Sequence, residues 1–122
     1  MKPEDSSATI LGVNESIQTS LPVMQGLEST VRPVCQAHGV ARLQVFGSLA
    51  AGRAASGSDV DLLVEFLPEI KAGLFEMGAL KEELEGRIGR RVDLLSRRAV
   101  EKSRNAIRRR AILANPVTIY AR

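Results

Sequence analysis

Two aspartates one residue apart, Asp59 and Asp61, open the most apolar run of the chain, Val60-Asp61-Leu62-Leu63-Val64-Glu65-Phe66. Side chains alternate along a strand, so both carboxylates point to one face. Close carboxylates repel each other and gain nothing from a packed core. A divalent cation between them relieves that cost, and oxygen ligands of this kind select Mg²⁺ or Mn²⁺. Asp93 repeats the pattern as a lone acid inside Arg91-Val92-Asp93-Leu94-Leu95. If its strand lies beside the first, three carboxylates converge at one end of a sheet. Such a set can hold two metal ions around a phosphoryl group undergoing transfer.

The partner feature lies upstream. Gly47-Ser48 directly follows Leu43-Gln44-Val45-Phe46, and ten residues separate Ser48 from Asp59. A glycine there lets backbone N–H groups approach phosphate oxygens, and the Ser48 hydroxyl can add a hydrogen bond. Arg53 is the nearest cation for a triphosphate. Ser56 and Ser58 are placed to hold the loop through turn bonds to the backbone. Plainer readings stand beside these. Asp59 and Asp61 would cap a strand, Asp93 would be an edge-strand acid, and Arg53 and Glu65 would be surface residues. His38, the sole histidine, suits a helix end, where a positive ring complements the dipole. Cys35 reads as core packing.

The elements that must position these residues follow from periodicity. Val23, Met24, Leu27, Val31, Val34 and Cys35 recur at threes and fours and predict a helix from about Pro22 to His38, kinked or restarted at Pro33 and stopped by Gly39. Leu43–Phe46 reads as a first strand, and 47–57 as a loop or short helical turn. Val60–Phe66 has the nearly continuous apolar centre of a strand covered on both faces. Leu74, Met77, Leu80, Leu84 and Ile88 give a helix from about Gly73 to Ile88, closed by Gly89. Arg91–Leu95 is a third strand. Ser96 is placed to cap one helix running to about Ala114, and Asn115-Pro116 stops it. Val117–Tyr120 extends as a short terminal strand. The order predicts an α/β fold, a small mixed β-sheet flanked by helices.

The 122 residues fit one domain, read as 21–122 preceded by a polar tail or arm over 1–20. With aromatic residues at only 3%, the core must be built from Leu, Val, Ile and Ala. A single cysteine excludes an internal disulfide and a cysteine-based zinc site. No run approaches the roughly 18 apolar residues of a membrane span. The acidic start, Met1-Lys2-Pro3-Glu4-Asp5, lacks the pattern of a secretion signal, so a cytoplasmic setting is expected. Net charge is +3, with the excess concentrated between Arg87 and Arg110. That basic stretch would face nucleic acid, nucleotide phosphates or an acidic protein, or simply be a solvated helix face.

Val45-Phe46-Gly47-Ser48, ten intervening residues and Ser58-Asp59-Val60-Asp61-Leu62-Leu63-Val64-Glu65-Phe66, followed by Arg91-Val92-Asp93-Leu94-Leu95, resemble the minimal nucleotidyltransferases of the DNA polymerase β superfamily. The resemblance runs from about Leu43 to the C-terminus. It implies the polymerase β-like nucleotidyltransferase fold, with Asp59, Asp61 and Asp93 as catalytic, metal-binding carboxylates. Gly47, Ser48, Arg53 and Ser58 fall on the nucleotide side. Members of this size resemble the antitoxin half of prokaryotic pairs whose partner is a helical HEPN ribonuclease. The implied reaction is Mg²⁺-dependent transfer of AMP from ATP onto a tyrosine of that toxin, with protein rather than nucleic acid as acceptor. The family's usual Arg-Ala-Arg-Gly is replaced here by Leu49-Ala50-Ala51-Gly52, with Arg53 following. The alternative is therefore an antitoxin that neutralises by contact alone. Acceptor, nucleotide and oligomeric state, homo-oligomer included, are left open by the sequence.

Overall fold

A computed structural model describes residues 15–52 and 59–122, so the expected tail up to residue 14 lies outside the described residues. In chain order the elements are α1 (Glu15–Ala37), β1 (Val40–Phe46), α2 (Gly47–Ala50), β2 (Val60–Phe66), α3 (Leu74–Ile88), β3 (Val92–Ser96), α4 (Arg97–Glu101), α5 (Ala106–Leu113) and β4 (Val117–Ala121). The four strands form one sheet in the order β3-β2-β1-β4. β1 pairs antiparallel with β2 and with β4, while β2 and β3 run parallel. The sheet is mixed, as the sequence predicts. The parallel pair requires a crossover, and α3 supplies it.

Alternation along β2 divides the core. Val60, Leu62 and Val64 point to one face with Leu43, Val45 and Val92, where they meet Val31 and Val34 of α1 and Leu80 and Leu84 of α3. Leu63 points to the other face and packs against Val100 of α4 and Ile112 of α5, with Phe46, Leu95 and Leu113 around them. β2 is thus covered on both sides, which is why its centre is continuously apolar. Burying one such leucine contributes about 1.5–3 kcal/mol.

Local signals fix most boundaries. Gly89 adopts φ 75° and closes α3 through its N–H to the Glu85 carbonyl. The Glu76 carboxylate accepts from the Gly73 N–H at 2.7 Å and anchors the start of the same helix. That bond holds the Glu76 carboxyl below its usual range.

The structure departs from the sequence expectations at three places. α1 begins at Glu15 and continues unbroken through Pro22 and Pro33. Pro33 is exposed, so the backbone bond it cannot make lies on the solvent side, where its loss costs least. β1 starts three residues earlier than expected, at Val40. The single helix expected between Ser96 and Ala114 is two. Ser96 caps α4 by accepting from the Ala99 N–H at 3.2 Å. Asn105 then caps α5 by accepting from the Arg108 N–H at 3.0 Å. The second cap, with Ser103 bonded to the Asn105 N–H at 3.2 Å, competes with helix continuation through 102–105.

Candidate active site

The sheet brings the sequence-predicted acids together on the face that carries Leu63. Asp61 and Asp93 are direct partners in the parallel β2–β3 register, so their side chains leave the same side of the sheet. Asp59 lies immediately before β2, exposed, two residues from Asp61 and on its face. Asp93 is exposed and Asp61 half-buried. Burial, then the charges of Asp93 and Asp59, push the Asp61 carboxyl above the usual carboxylate range. Among the described residues no basic side chain offsets that push.

Gly47 stands on the other side of Asp61. Phe46, the last residue of β1, is the register partner of Asp61. The chain turns there into the one-turn helix α2, with Gly47 at φ 74°, a region L side chains rarely adopt. A Cβ on Gly47 would sit 3.2 Å from Asp61 Cγ and closer still to Oδ2. The bare α-carbon is what lets strand end and carboxylate approach. The turn closes through the Ala51 N–H to the Gly47 carbonyl at 3.1 Å and the Gly52 N–H to the Leu49 carbonyl at 3.1 Å. Ser48 is the second residue of α2, while Arg53, Ser56 and Ser58 lie outside the described residues.

These groups fit a divalent cation by their chemistry. The set is all oxygen, it is mutually repulsive, and a glycine leaves open the space a Cβ would fill. Among the described residues, no three His, Cys, Asp or Glu side chains are gathered into a ready-made cage. Mg²⁺ seldom needs one, because it is held by one or two carboxylates and completes its shell with water and substrate phosphates.

A cavity of about 280 Å³ adjoins the turn, lined by Phe46, Gly47, Ala50 and Ala51 and, from the end of α5, by Ala111 and Ile112 among others. The two positions where the family's arginines are expected differ sharply. Leu49 is 3% exposed and belongs to the main core, whereas Ala51 is exposed.

One polar residue on this face escaped the sequence reading. Gln44 is 6% exposed, a buried polar side chain between Leu43 and Val45 of β1. Its amide donates to Thr118 Oγ1 at 3.1 Å and its oxygen accepts from Arg97 Nη1 at 2.5 Å. Arg97 also donates to Glu101 at 3.1 Å. This network ties β1 and β4 to the start of α4. Its signal in the sequence was the same one that marked Asp93, a polar residue flanked by apolar ones in a strand. The remaining polar candidates have structural partners. Glu65, on the Asp61 face, pairs with Arg42 at 2.7 Å, and His38 bridges α1 to α3 through Glu83 at 2.7 Å.

A glycine turn closing one strand, paired aspartates opening the next and a third aspartate on a parallel neighbour define a small nucleotidyltransferase of the polymerase β-like fold. The chain belongs to the nucleotidyltransferase domain family, whose model matches residues 27–114. It is 40% identical over 70 residues to a Methanocaldococcus jannaschii protein assigned as a protein adenylyltransferase, covering 57% of this chain and 73% of that one. A solved structure assigned as a minimal nucleotidyltransferase superposes with a TM-score of 0.62 at 35% identity, over 80% of this chain and 93% of the other. The fold alone is shared with a Shewanella oneidensis complex of an MNT antitoxin with a tri-AMPylated HEPN toxin, at a TM-score of 0.56 and 13% identity over 81% and 73% of the two chains. Among the described residues no helix is long and apolar enough to cross a membrane.

Proposed function

We propose that this nucleotidyltransferase transfers AMP from ATP to a hydroxyl of a partner protein, a HEPN-type toxin, and so acts as the antitoxin of the pair. The observation that carries the reading is the approach of Gly47 to Asp61 beside Asp93, with no basic side chain among the described residues offsetting the charge around Asp61. The relatives assigned as protein adenylyltransferases support the reaction class, and the antitoxin fold seen bound to an AMPylated toxin supports the acceptor.

In the proposed mechanism Gly47 and Ser48 offer backbone N–H groups to the triphosphate, and Arg53 and Ser58, from the sequence between Gly52 and Asp59, would add contacts. Asp59 and Asp61 would hold Mg²⁺, with Mn²⁺ as a substitute, and the ion would supply charge neutralisation at the phosphates. The acceptor oxygen attacks the α-phosphorus as the bond to the bridging oxygen breaks, and pyrophosphate leaves. Asp93 either receives the acceptor's proton or shares in holding a second ion. The protein's contribution is positioning and charge stabilisation.

The test is Mg²⁺-dependent transfer of label from α-labelled ATP to the purified product of the adjacent gene, with Asp59→Ala/Asp61→Ala as control. Label that appears with the wild type and vanishes with the double variant is the expected result. A second reading, neutralisation by contact, is favoured by Leu49 and Ala51 standing where phosphate-binding arginines are usual. It predicts no label and toxin neutralisation that survives the double substitution.

A further inference from the structure

Residues 97–110 hold six arginines and one lysine against a single acid, Glu101. Two of these cations are engaged internally, Arg97 with Gln44 and Glu101, and Arg109 with the Ser103 carbonyl. Arg98, Lys102, Arg104, Arg108 and Arg110 are exposed, and none forms an ion pair among the described residues. A solvated face usually intersperses both signs, so this excess in two short helices is unbalanced.

Ile107 sits within the excess at 82% exposure. Along α5 and its C-cap residue Ala114, positions 107, 111 and 114 share one stripe by helical spacing, with Arg108 and Arg110 to either side. Ile107, Ala111 and Ala114 are all exposed, while Ile112 of the same helix is buried against Leu63. Ala111 and Ala114 also line the cavity beside Gly47. An apolar track with a basic margin therefore leads along α5 to the phosphate-side turn.

We propose that this stripe of α5 is the docking surface for the acceptor, an acidic protein surface that seats an apolar contact on Ile107 and delivers its hydroxyl toward Gly47 and Asp61. The proposal rests on the adenylyltransferase reading above. Charge complementarity fixes the sign of the partner. The apolar centre within a charged rim is the anatomy of a protein interface. Single-stranded RNA is the lesser fit, because residues 97–116 contain no aromatic side chain on which bases would stack.

The experiment uses the full chain and the purified product of the adjacent gene, with binding followed by titration calorimetry at two salt concentrations. The variants are Ile107→Asp, the triple reversal Arg104→Glu/Arg108→Glu/Arg110→Glu, and Arg32→Glu on α1 as a control. A fluorescent 20-nucleotide poly(U) strand is titrated in parallel. All substituted side chains are exposed, and thermal melts confirm folding. Docking through the stripe gives at least about tenfold weaker binding for each α5 variant, with the control within about twofold. Equal binding by all variants, or no binding even by the wild type, overturns the proposal. So does RNA binding that is lost in the triple reversal while protein binding persists. The two readings fail separately. AMP transfer undiminished in the α5 variants sinks the docking surface alone, and stripe-dependent binding without any transfer sinks the transferase alone.

Discussion

The α-carbon of Gly47 and the carboxylate of Asp61 occupy adjoining space, so close that a methyl group on the first would collide with the second. Glycine is required here twice over, by its φ of 74° and by its missing side chain. Gly47→Ala should lower stability by about 1–2 kcal/mol from backbone strain alone. It should also displace Asp61 and reduce transfer far more than the stability loss explains. Denaturant melts and the labelled-ATP assay on the same preparation separate the two effects. Full activity in a destabilised variant would show that Asp61 moves aside without consequence.

Asp61 is an acid whose ionised form the fold disfavours. A carboxyl raised on folding makes the folded state bind its proton more tightly than the unfolded chain does. The metal-free protein therefore loses stability as pH rises from the ordinary aspartate range through the raised value, the reverse of a salt-bridged carboxylate. Asp61→Asn should raise the metal-free melting temperature at neutral pH by a few degrees while abolishing transfer. Added Mg²⁺ should stabilise the wild type and leave the variant unmoved. Calorimetric scans with Mg²⁺ and with chelator decide this; a variant that melts lower than the wild type in chelator would contradict the electrostatic account.

Restoring the family's arginines should succeed at one position and fail at the other. Ala51 is exposed at the end of α2, so Ala51→Arg should fold normally and tighten ATP binding several-fold. Leu49 is in the core, and Leu49→Arg would bury an unpaired charge at a cost of about 3 kcal/mol or more. Melting curves and nucleotide titrations of the two single variants test the contrast. A stable Leu49→Arg protein would mean that α2 can roll that side chain outward.

Cys35 is fully buried, and burial pushes its thiol up to about 12. Thiolate is the reactive form, so iodoacetamide at pH 8 should label the folded chain only as fast as it opens. Above pH 9 the unfolded chain ionises its thiol while the folded one does not, and stability should fall as pH rises toward 12. Labelling kinetics across a denaturant series, read by mass spectrometry, give the opening free energy. Rapid labelling in native buffer would place Cys35 nearer the surface than its packing indicates.

The strands and the acidic residues were legible because their signals are local: alternation in 59–66, a lone acid in 91–95, glycine at 47. The face shared by Asp61 and Asp93 was conditional in the sequence, since nothing local states that β3 is the parallel neighbour of β2. Gln44 carried the same local signal as Asp93, but nothing local names what it binds. Its partners, Thr118 and Arg97, lie 74 and 53 residues away. The break between α4 and α5 was missed because neither Gly nor Pro interrupts 96–114, whereas the Asn105 cap competes through one side-chain bond. Leu49 looked like a lost functional residue and is a core residue, a distinction that only packing reveals.

β4 joins β1 through a register shift between Leu43 and Gln44, where one step on β1 spans two residues of β4, with Tyr120 opposite Leu43 and Thr118 opposite Gln44. That extra residue lets Ile119 and Tyr120, neighbours in sequence, both be buried in the main core, while Thr118 stays on the opposite face to hold Gln44. Deleting one residue from β4 would therefore do more than shorten an edge. It would force a choice between the oily side of the sheet and the polar clasp on Arg97, so the tolerance of this strand to deletions is a gauge of how strongly each side holds the last strand in place.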